Sequence, residues 1–177
     1  MKKLFSIRTL CLVIAVIMIG CVCACTGNGG SGGEGGDTPA EVKGTTETWG
    51  RFKTILVPDS MNLTGGNILD SEDPKVLTLK ENGNDFHYIM LNIYSLETCQ
   101  SSVAGTKDYN ENAEDVTIEI NGVTWTGVAY KYAGMTGAFQ MYAQFGDDCV
   151  LAGGFYYAYN SAEVQAVLGS ITLGAAE

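Results

Sequence analysis

The sequence has 177 residues and a formal net charge of −10, with 20 acidic against 10 basic side chains. This balance argues against electrostatic binding to nucleic acid or to an anionic lipid surface. About 130 residues follow the amino-terminal region, which is enough for one domain with a proper hydrophobic core.

The amino terminus has the pattern of a secretory signal. Lys2, Lys3 and Arg8 precede an uncharged apolar stretch that runs from Thr9 to Cys25. A basic start followed by an apolar run and small residues is typical of a signal peptide. The run of about 16 residues is shorter than the roughly 20 that a spanning helix needs. The sequence therefore predicts a signal peptide over residues 1–24.

The signal ends in a cysteine-rich segment. Cys25 follows Val22-Cys23-Ala24, with an aliphatic residue at position −3 and a small residue at −1. This segment resembles the lipobox of bacterial lipoproteins, in which the cysteine receives a diacylglyceryl group and becomes the first mature residue. The resemblance implies lipidation at Cys25, with Cys21 as the rival acceptor. It also implies a lipid-anchored protein on the extracytoplasmic face of the cell membrane.

A glycine-rich tract follows the lipobox. Residues 25–44 comprise the cysteine and a segment, TGNGGSGGEGGDTPAEVKG, with almost nothing to bury. Such a composition predicts a flexible linker, spanning roughly 24 Å root-mean-square. The mature chain would carry 7 basic and 20 acidic residues, because three of the bases lie in the signal. Membrane attachment is therefore expected to come from the lipid, and residues 45–177 are expected to form a single domain.

Three strands and a helix are predicted in the first half of this domain. The strands are expected at Trp49–Val57, ended by Pro58-Asp59, at Lys75–Lys80 and at Phe86–Tyr94. The third run is apolar on both alternating faces, which predicts a central strand covered on both sides. A short helix is expected at Leu96–Val103, and an acidic loop at Lys107–Asp115.

A hairpin is predicted in the middle of the domain. Asn121-Gly122 joins two strand-like runs, Val116–Ile120 and Val123–Tyr132. Asparagine followed by glycine tolerates the positive φ angles of a type I′ turn, which suits antiparallel strands. The sequence therefore predicts two paired strands here.

Two further strands and a helix are predicted toward the carboxyl terminus. Alternating apolar and polar residues predict a strand at Phe139–Phe145, and a turn leads into another at Cys149–Tyr159. Ser161 is the expected helix cap, followed by one apolar stripe at helical spacing: Val164, Val167, Leu168 and Ile171. The order of elements predicts an α+β fold, an antiparallel sheet mostly in meander with helices packed on it.

Three segments resemble the PsbP-like α/β/α sandwich, a fold named for the oxygen-evolving-enhancer protein of photosystem II. They are the first strand running into Val57-Pro58-Asp59, the hairpin Asn121-Gly122-Val123-Thr124-Trp125, and the terminal Ala162–Ile171. The resemblance covers roughly Trp49 to Leu173, and its motifs are mostly structural. It implies a non-enzymatic binding or assembly domain and transfers neither a catalytic residue nor a cofactor, since fold alone does not license function.

The side chains suited to catalysis or metal binding are few. His87 is the only histidine and lies beside Asp85 on an apolar run, so a structural role is favoured over a general base or ligand. The segment from Asp108 to Glu119 partly matches a calcium-binding loop, but Ala113 replaces the glycine that its sharp turn needs. A solvated acidic loop is favoured, and no metal or cofactor is predicted.

Two cysteines and a group of tyrosines remain. Cys99 and Cys149 are the cysteines beyond the signal region, and both a disulfide and two buried thiols explain them. A disulfide closing a loop of about 50 residues would stabilise by roughly 4 kcal/mol. The tyrosines of the last strands suggest an aromatic platform for a partner, although helices could instead cover them: Tyr130, Tyr132, Tyr142, Tyr156, Tyr157 and Tyr159, with the first four as the candidate partner surface.

Together these features predict a lipid-anchored extracytoplasmic protein that acts as a non-enzymatic binding or adaptor module. Its ligand would be an envelope protein or a small molecule. The alternatives are a structural envelope lipoprotein and an enzyme with unrecognised carboxylate chemistry.

Overall fold

The computed structural model describes residues 41–65, 75–131 and 137–175. The described residues contain ten strands and two helices. In chain order these are β1 (Gly44–Trp49), β2 (Phe52–Pro58), β3 (Met61–Leu63), β4 (Val76–Glu81), β5 (Tyr88–Tyr94), α1 (Leu96–Tyr109), β6 (Glu114–Ile120), β7 (Val123–Tyr130), β8 (Ala138–Phe145), β9 (Asp148–Phe155), α2 (Ala162–Gly169) and β10 (Thr172–Leu173).

Seven strands form one large sheet in the order β3-β4-β5-β9-β8-β7-β6. All of its pairings are antiparallel. The sheet consists of two meanders, β3 to β5 and β6 to β9, which meet where β5 pairs with β9. Helix α1 lies between β5, in the middle of the sheet, and β6, at its edge.

A second, three-stranded sheet has the order β1-β2-β10 and is also antiparallel. The main core lies between this sheet with α2 and one face of the large sheet. Phe52 of β2, Trp125 and Phe139 of the large sheet and Val167 of α2 all belong to it and are fully buried. This face of the large sheet is therefore covered by both strands and a helix.

Helix α1 packs on the other face of the large sheet. Its cap is Ser95, whose Oγ accepts a hydrogen bond from the Thr98 amide at 3.2 Å. Cys99 is its fully buried residue. Thr106 Oγ1 donates to Gln140 Oε1 of β8 at 2.6 Å, which fixes the second half of the helix on the sheet. The large sheet is thus covered on both faces.

The α+β class predicted from the sequence is confirmed. Strand β5 is central, as its two apolar faces predict. The predicted hairpin is formed by β6 and β7, with Asn121 at φ 51° and Gly122 at φ 78°. Ser161 caps α2 as predicted, since its Oγ accepts from the Val164 amide at 3.3 Å.

Other boundaries differ from the prediction. Helix α1 extends to Tyr109, so the acidic loop predicted at Lys107–Asp115 is wrong: its first residues are helical and its last begin β6. The predicted strand at Cys149–Tyr159 ends at Phe155, because Tyr156 has φ 64° and leaves the extended region.

The small sheet was not predicted. The run expected as one strand, Trp49–Val57, is divided by a turn at Gly50, whose φ is 52°, into β1 and β2. Strand β1 has a polar, exposed sequence, and β10 is two residues long. Neither carries the alternation of apolar and polar residues by which a strand is recognised.

An ion pair joins the two sheets. Arg51, in the turn between β1 and β2, donates from Nη1 to Asp148 Oδ1 at 3.0 Å and from Nη2 to Asp148 Oδ2 at 2.6 Å. Arg51 Nη2 also donates to the Gly174 carbonyl at 3.0 Å. The bidentate pair therefore ties the β1–β2 turn, the start of β9 and the segment after β10 together.

Glycine substitutions test the strand packing. Gly127→Ala would put a Cβ 2.1 Å from the Gln140 carbonyl oxygen, so β7 and β8 must separate. We expect a loss of about 1–3 kcal/mol in the free energy of unfolding, measured by urea denaturation. Gly105→Ala is the control, because no atom lies within 4 Å of its added Cβ and the position is helical. It should gain about 0.5–1 kcal/mol, and equal losses in both variants would contradict the packing.

The Arg51–Asp148 pair predicts a pH-dependent stability. Hydrogen bonding to Arg51 lowers the pKa of Asp148. The ion pair therefore contributes to the free energy of unfolding above the unfolded-state pKa of about 3.9. This contribution is lost as the pH falls through the lowered pKa that Asp148 has in the folded protein. Asp148→Asn should cost about 1 kcal/mol at neutral pH, and the difference should shrink in acid.

Asp147→Asn is the matched control for charge, since Asp147 is exposed and has no ion pair within the described residues. Unfolding in urea at about pH 7 and about pH 3 would measure both variants. A constant Asp148→Asn deficit across this range would argue that packing, and not the charge, is what the substitution removes.

Candidate functional site

Aromatic side chains gather at one end of the large sheet, where β5 begins and β7 and β9 end. Tyr88 lies opposite Phe155, Phe155 opposite Ala138, and Ala138 opposite Tyr130. The connections from β4 to β5, from α1 to β6 and from β9 to α2 lie at this end. We call it the aromatic end and define it by Phe86, His87, Tyr88, Tyr109, Tyr130, Phe155, Tyr156, Tyr157 and Tyr159.

The strand residues of the aromatic end form a row on the face that α1 partly covers. The rings of Tyr88 and Phe155 stack with centroids 5.0 Å apart and an interplanar angle of 25°. Burial raises the pKa of the Tyr88 phenol. Burial, and then the charge of Tyr88, raises the pKa of Tyr130. Both phenols therefore stay protonated at neutral pH and can donate hydrogen bonds.

His87 belongs to a compact cluster beside this row. Its Nδ1 hydrogen bonds to a carboxylate oxygen of Glu81, the last residue of β4. The imidazole stacks on Tyr156, with centroids 4.3 Å apart and an angle of 21°, and meets the edge of Tyr157 at 6.5 Å. Asp85, its sequence neighbour, instead pairs with Lys80. The ring is thus held by a carboxylate and two aromatic rings.

The backbone and the electrostatics of this cluster are both unusual. Tyr156 has a positive φ of 64°, a conformation that is costly for a large side chain and concentrates at functional sites. Burial, followed by the charges of Glu81 and Glu163, raises the pKa of Tyr157 to about 12.

A cavity of about 430 Å³ opens beside the row of rings. Tyr130 and Tyr159 contribute its aromatic walls. Its polar side chains come from the start of β6 and from the residue after β7: Asn112, Glu114 and Lys131. This volume is in the range of about 300–1,000 Å³ typical of small-molecule sites. The cavity is the feature of the aromatic end that is best shaped to hold a ligand.

Two other cavities lie away from the aromatic end. One of about 500 Å³ runs between β1 and β3, and one of about 530 Å³ adjoins Arg51 and Asp148. The second is next to an ion pair whose hydrogen bonds already hold the sheets together. The cavity next to Arg51 and Asp148 is therefore a weaker candidate than the one at the aromatic end.

The tyrosines predicted as a platform do not all lie together. Tyr130 and Tyr156 belong to the aromatic end, whereas Tyr132 lies outside the described residues. Tyr142 follows Ala138 along β8 by four positions, about 13 Å at roughly 3.3 Å per residue. There it packs with Cys99 and Cys149 beneath α1. The prediction that Tyr142 belongs to the platform is therefore wrong, because the strand register puts it in a part of the sheet that α1 covers.

Most of the aromatic end was not identified from the sequence. Tyr88 lies on β5 and Phe155 on β9, and only the β5–β9 register brings them to one place. Phe86 was assigned to a buried face of the third strand, but it precedes β5 and is 76% exposed. Two adjacent tyrosines just past a strand end, at Tyr156 and Tyr157, were the local signal that was available.

The two domain cysteines come together between α1 and β9. Cys99 and Cys149 are free thiols, fully buried, in one small apolar cluster with Leu151. Burial raises the pKa of both thiols. The neutral thiols should be unreactive in the folded protein. The disulfide between them stays a prediction, and Cys25 lies outside the described residues.

The secondary structure contradicts the hypothesis of a calcium-binding loop from Asp108 to Glu119. Asp108 lies in the last turn of α1 and Glu119 lies within β6, so only Asn110–Ala113 separate helix from strand. Among the described residues, no group of three or more His, Cys, Asp or Glu side chains could hold a metal ion. Neither α1 nor α2 is long and apolar enough to cross a membrane.

Comparisons with known proteins return little. No protein-family model matches the sequence, and no curated protein matches it. The chain is similar to a crystal structure from Bacteroides thetaiotaomicron VPI-5482, with a TM-score of 0.47 and 7% identity. The match covers 69% of this chain and 45% of that one, so the chain spans less than half of its length. No conclusion about function rests on this similarity.

A double-mutant cycle tests the His87 cluster. His87→Ala and Tyr156→Ala each remove one ring of the stack, and their combined effect should be smaller than the sum. We expect a coupling of about 0.5–1.5 kcal/mol in urea unfolding. Pairing His87→Ala with Tyr94→Ala is the control, since Tyr94 ends β5 and lies roughly 20 Å away. Additivity in both cycles would mean that the stack does not form in solution.

Proposed function

We propose that this protein is a lipid-anchored extracytoplasmic binding module, and that the aromatic end is its ligand-binding surface. One observation carries the proposal: the fold gathers the rings at one end of the sheet, where Tyr130 and Tyr159 line a cavity of small-molecule size. Tyrosines offer a large, rigid contact area and a polar tip at a low cost in conformational entropy.

The exposed rings extend the surface beyond the cavity. Phe86, in the connection before β5, is 76% exposed, and Tyr109, the last residue of α1, is 91% exposed. The opposite end of the sheet has the turns at Asn121-Gly122 and Gly146-Asp147, which are polar. The difference between the two ends supports a binding role for the aromatic one.

The amino-terminal sequence supports the location. The basic start, the apolar run and the lipobox ending at Cys25 would place the domain outside the cytoplasm. The linker would separate it from the lipid surface by roughly 24 Å. Lipidation would supply the attachment, since the mature chain has a net charge of −13 and gains nothing from anionic headgroups. The resemblance to PsbP-like sandwiches implies a similar role, but the proposal does not depend on it.

An enzyme is the second candidate, favoured by the contact between His87 and Glu81. A carboxylate that fixes the imidazole is one half of an acid–base arrangement. Two observations weigh against it. The imidazole is packed against Tyr156 and Tyr157, and the raised pKa keeps the Tyr157 phenol from acting as a base near neutral pH. We therefore favour binding over catalysis, and over a purely structural envelope role.

Photocrosslinking in intact cells tests the proposal. A photoreactive amino acid would replace Phe86 or Tyr109 in the full chain, and adducts would be identified by intact-mass and peptide mass spectrometry. We expect both positions to capture the same species, protein or small molecule. Tyr94 is the matched control, because it is 41% exposed but lies at the opposite end of β5. Equal capture from Tyr94 would contradict the assignment of the surface.

The same cells test the anchor. Cys25→Ala should move the protein from the membrane to the soluble fraction, whereas Cys21→Ala should leave it membrane-bound. Retention of the Cys25→Ala protein in the membrane would overturn the lipid anchor at that residue, and release by Cys21→Ala alone would assign the anchor to Cys21.

A further inference from the structure

Five of the residues that line the cavity have polar side chains: Asn112, Glu114, Tyr130, Lys131 and Tyr159. Within the described residues, no hydrogen bond or ion pair engages these side chains, and Asn112, Glu114 and Lys131 are exposed to solvent. A few polar groups that converge on a cavity lined by aromatic residues are a usual feature of a ligand site.

The charges of the cavity exclude simple ionic ligands. Glu114 and Lys131 carry opposite charges and both are exposed. An anion would meet the carboxylate and a cation would meet the ammonium, so neither gains a net attraction. A zwitterion such as a dipeptide could pair with both, but exposed ion pairs contribute little because solvent screens them. The site therefore favours a neutral ligand.

The polar side chains that line the cavity argue against a purely apolar ligand. Two phenols, an amide, a carboxylate and an ammonium line the cavity, and an apolar molecule would strip water from them without replacing its hydrogen bonds. A ligand that fits must offer donors and acceptors together with a flat apolar face for the rings of Tyr130 and Tyr159. A sugar ring has this combination, because each hydroxyl both donates and accepts and one face presents C–H groups.

We propose that the cavity at the aromatic end binds a neutral saccharide of one or two rings. Tyr130 and Tyr159 would pack against the sugar ring. Asn112 and Glu114 would hydrogen bond to its hydroxyls, and Lys131 would donate from the rim. This assignment rests on the proposed binding function and names its ligand class.

Saturation-transfer NMR on the full-length lipoprotein tests the assignment. The protein would be held in micelles of a detergent without a sugar headgroup and mixed in turn with glucose, galactose, mannose, N-acetylglucosamine and their disaccharides. We expect saturation transfer to the ring protons of at least one saccharide, and none to dialanine, the zwitterionic probe. Tyr159→Ala should weaken the affinity about tenfold or more, as stacked aromatic contacts do.

Two further variants separate a loss of binding from a loss of folding. Tyr159 also packs against the core, so Glu114→Gln, at an exposed position, is the second variant and should weaken binding several-fold. Tyr94→Ala, at the opposite end of the sheet, should leave it unchanged. Thermal unfolding of each variant would show that the fold is kept.

Three results would overturn the saccharide assignment: no transfer to any of the sugars, transfer to dialanine in their place, or equal weakening by Tyr94→Ala. The proposed function is judged separately, by the crosslinks. If Phe86 and Tyr109 capture one species while no saccharide binds, the ligand class is wrong and the binding surface stands. If the crosslinks also fail, both proposals fall.

Discussion

The pairing of β5 with β9 in the middle of the large sheet is the constraint on which the rest of the structure depends. It joins two meanders that would otherwise each have an unpaired edge, and it sets the register from Tyr88–Phe155 at one end to Tyr94–Cys149 at the other. Gly154 on β9 makes close packing possible, since a Cβ there would lie 2.1 Å from the Phe139 ring. Because Gly154 has no side chain, the Phe139 ring packs directly against β9.

That register also separates the faces and the ends of the sheet. On one face Leu91, Ala152 and Met141 lie side by side and contribute to the main core. The other face carries Cys149 beneath α1, next to the buried thiol of Cys99. Because α1 runs back across the sheet and ends at Tyr109, the connection to β6 joins the aromatic end. The rings and the cavity are therefore consequences of the same strand alignment, although they are distant in sequence.

Local patterns predicted local structure well in this protein. The Asn121-Gly122 turn and the Ser161 cap depend on nearby residues, and both form as predicted. The candidate site was predicted less well. Tyr130 and Tyr156 were identified, but Tyr142 was grouped with them because it shares a strand pattern, and His87 was set apart. Which tyrosines meet depends on strand order and register, and several registers satisfy the same alternation of apolar residues.

The sequence by itself determined the α+β class, the central position of β5, the hairpin and the helix that follows Ser161. Periodicity and turn chemistry are properties of adjacent residues, and they suffice for these features. The tertiary structure alone decided the small sheet, the Arg51–Asp148 tie and the aromatic end. Each of these joins residues far apart in the chain, such as Tyr88 with Phe155, and only packing selects such pairs. The free energy that aligns them comes from burying a shared core, which no short segment encodes.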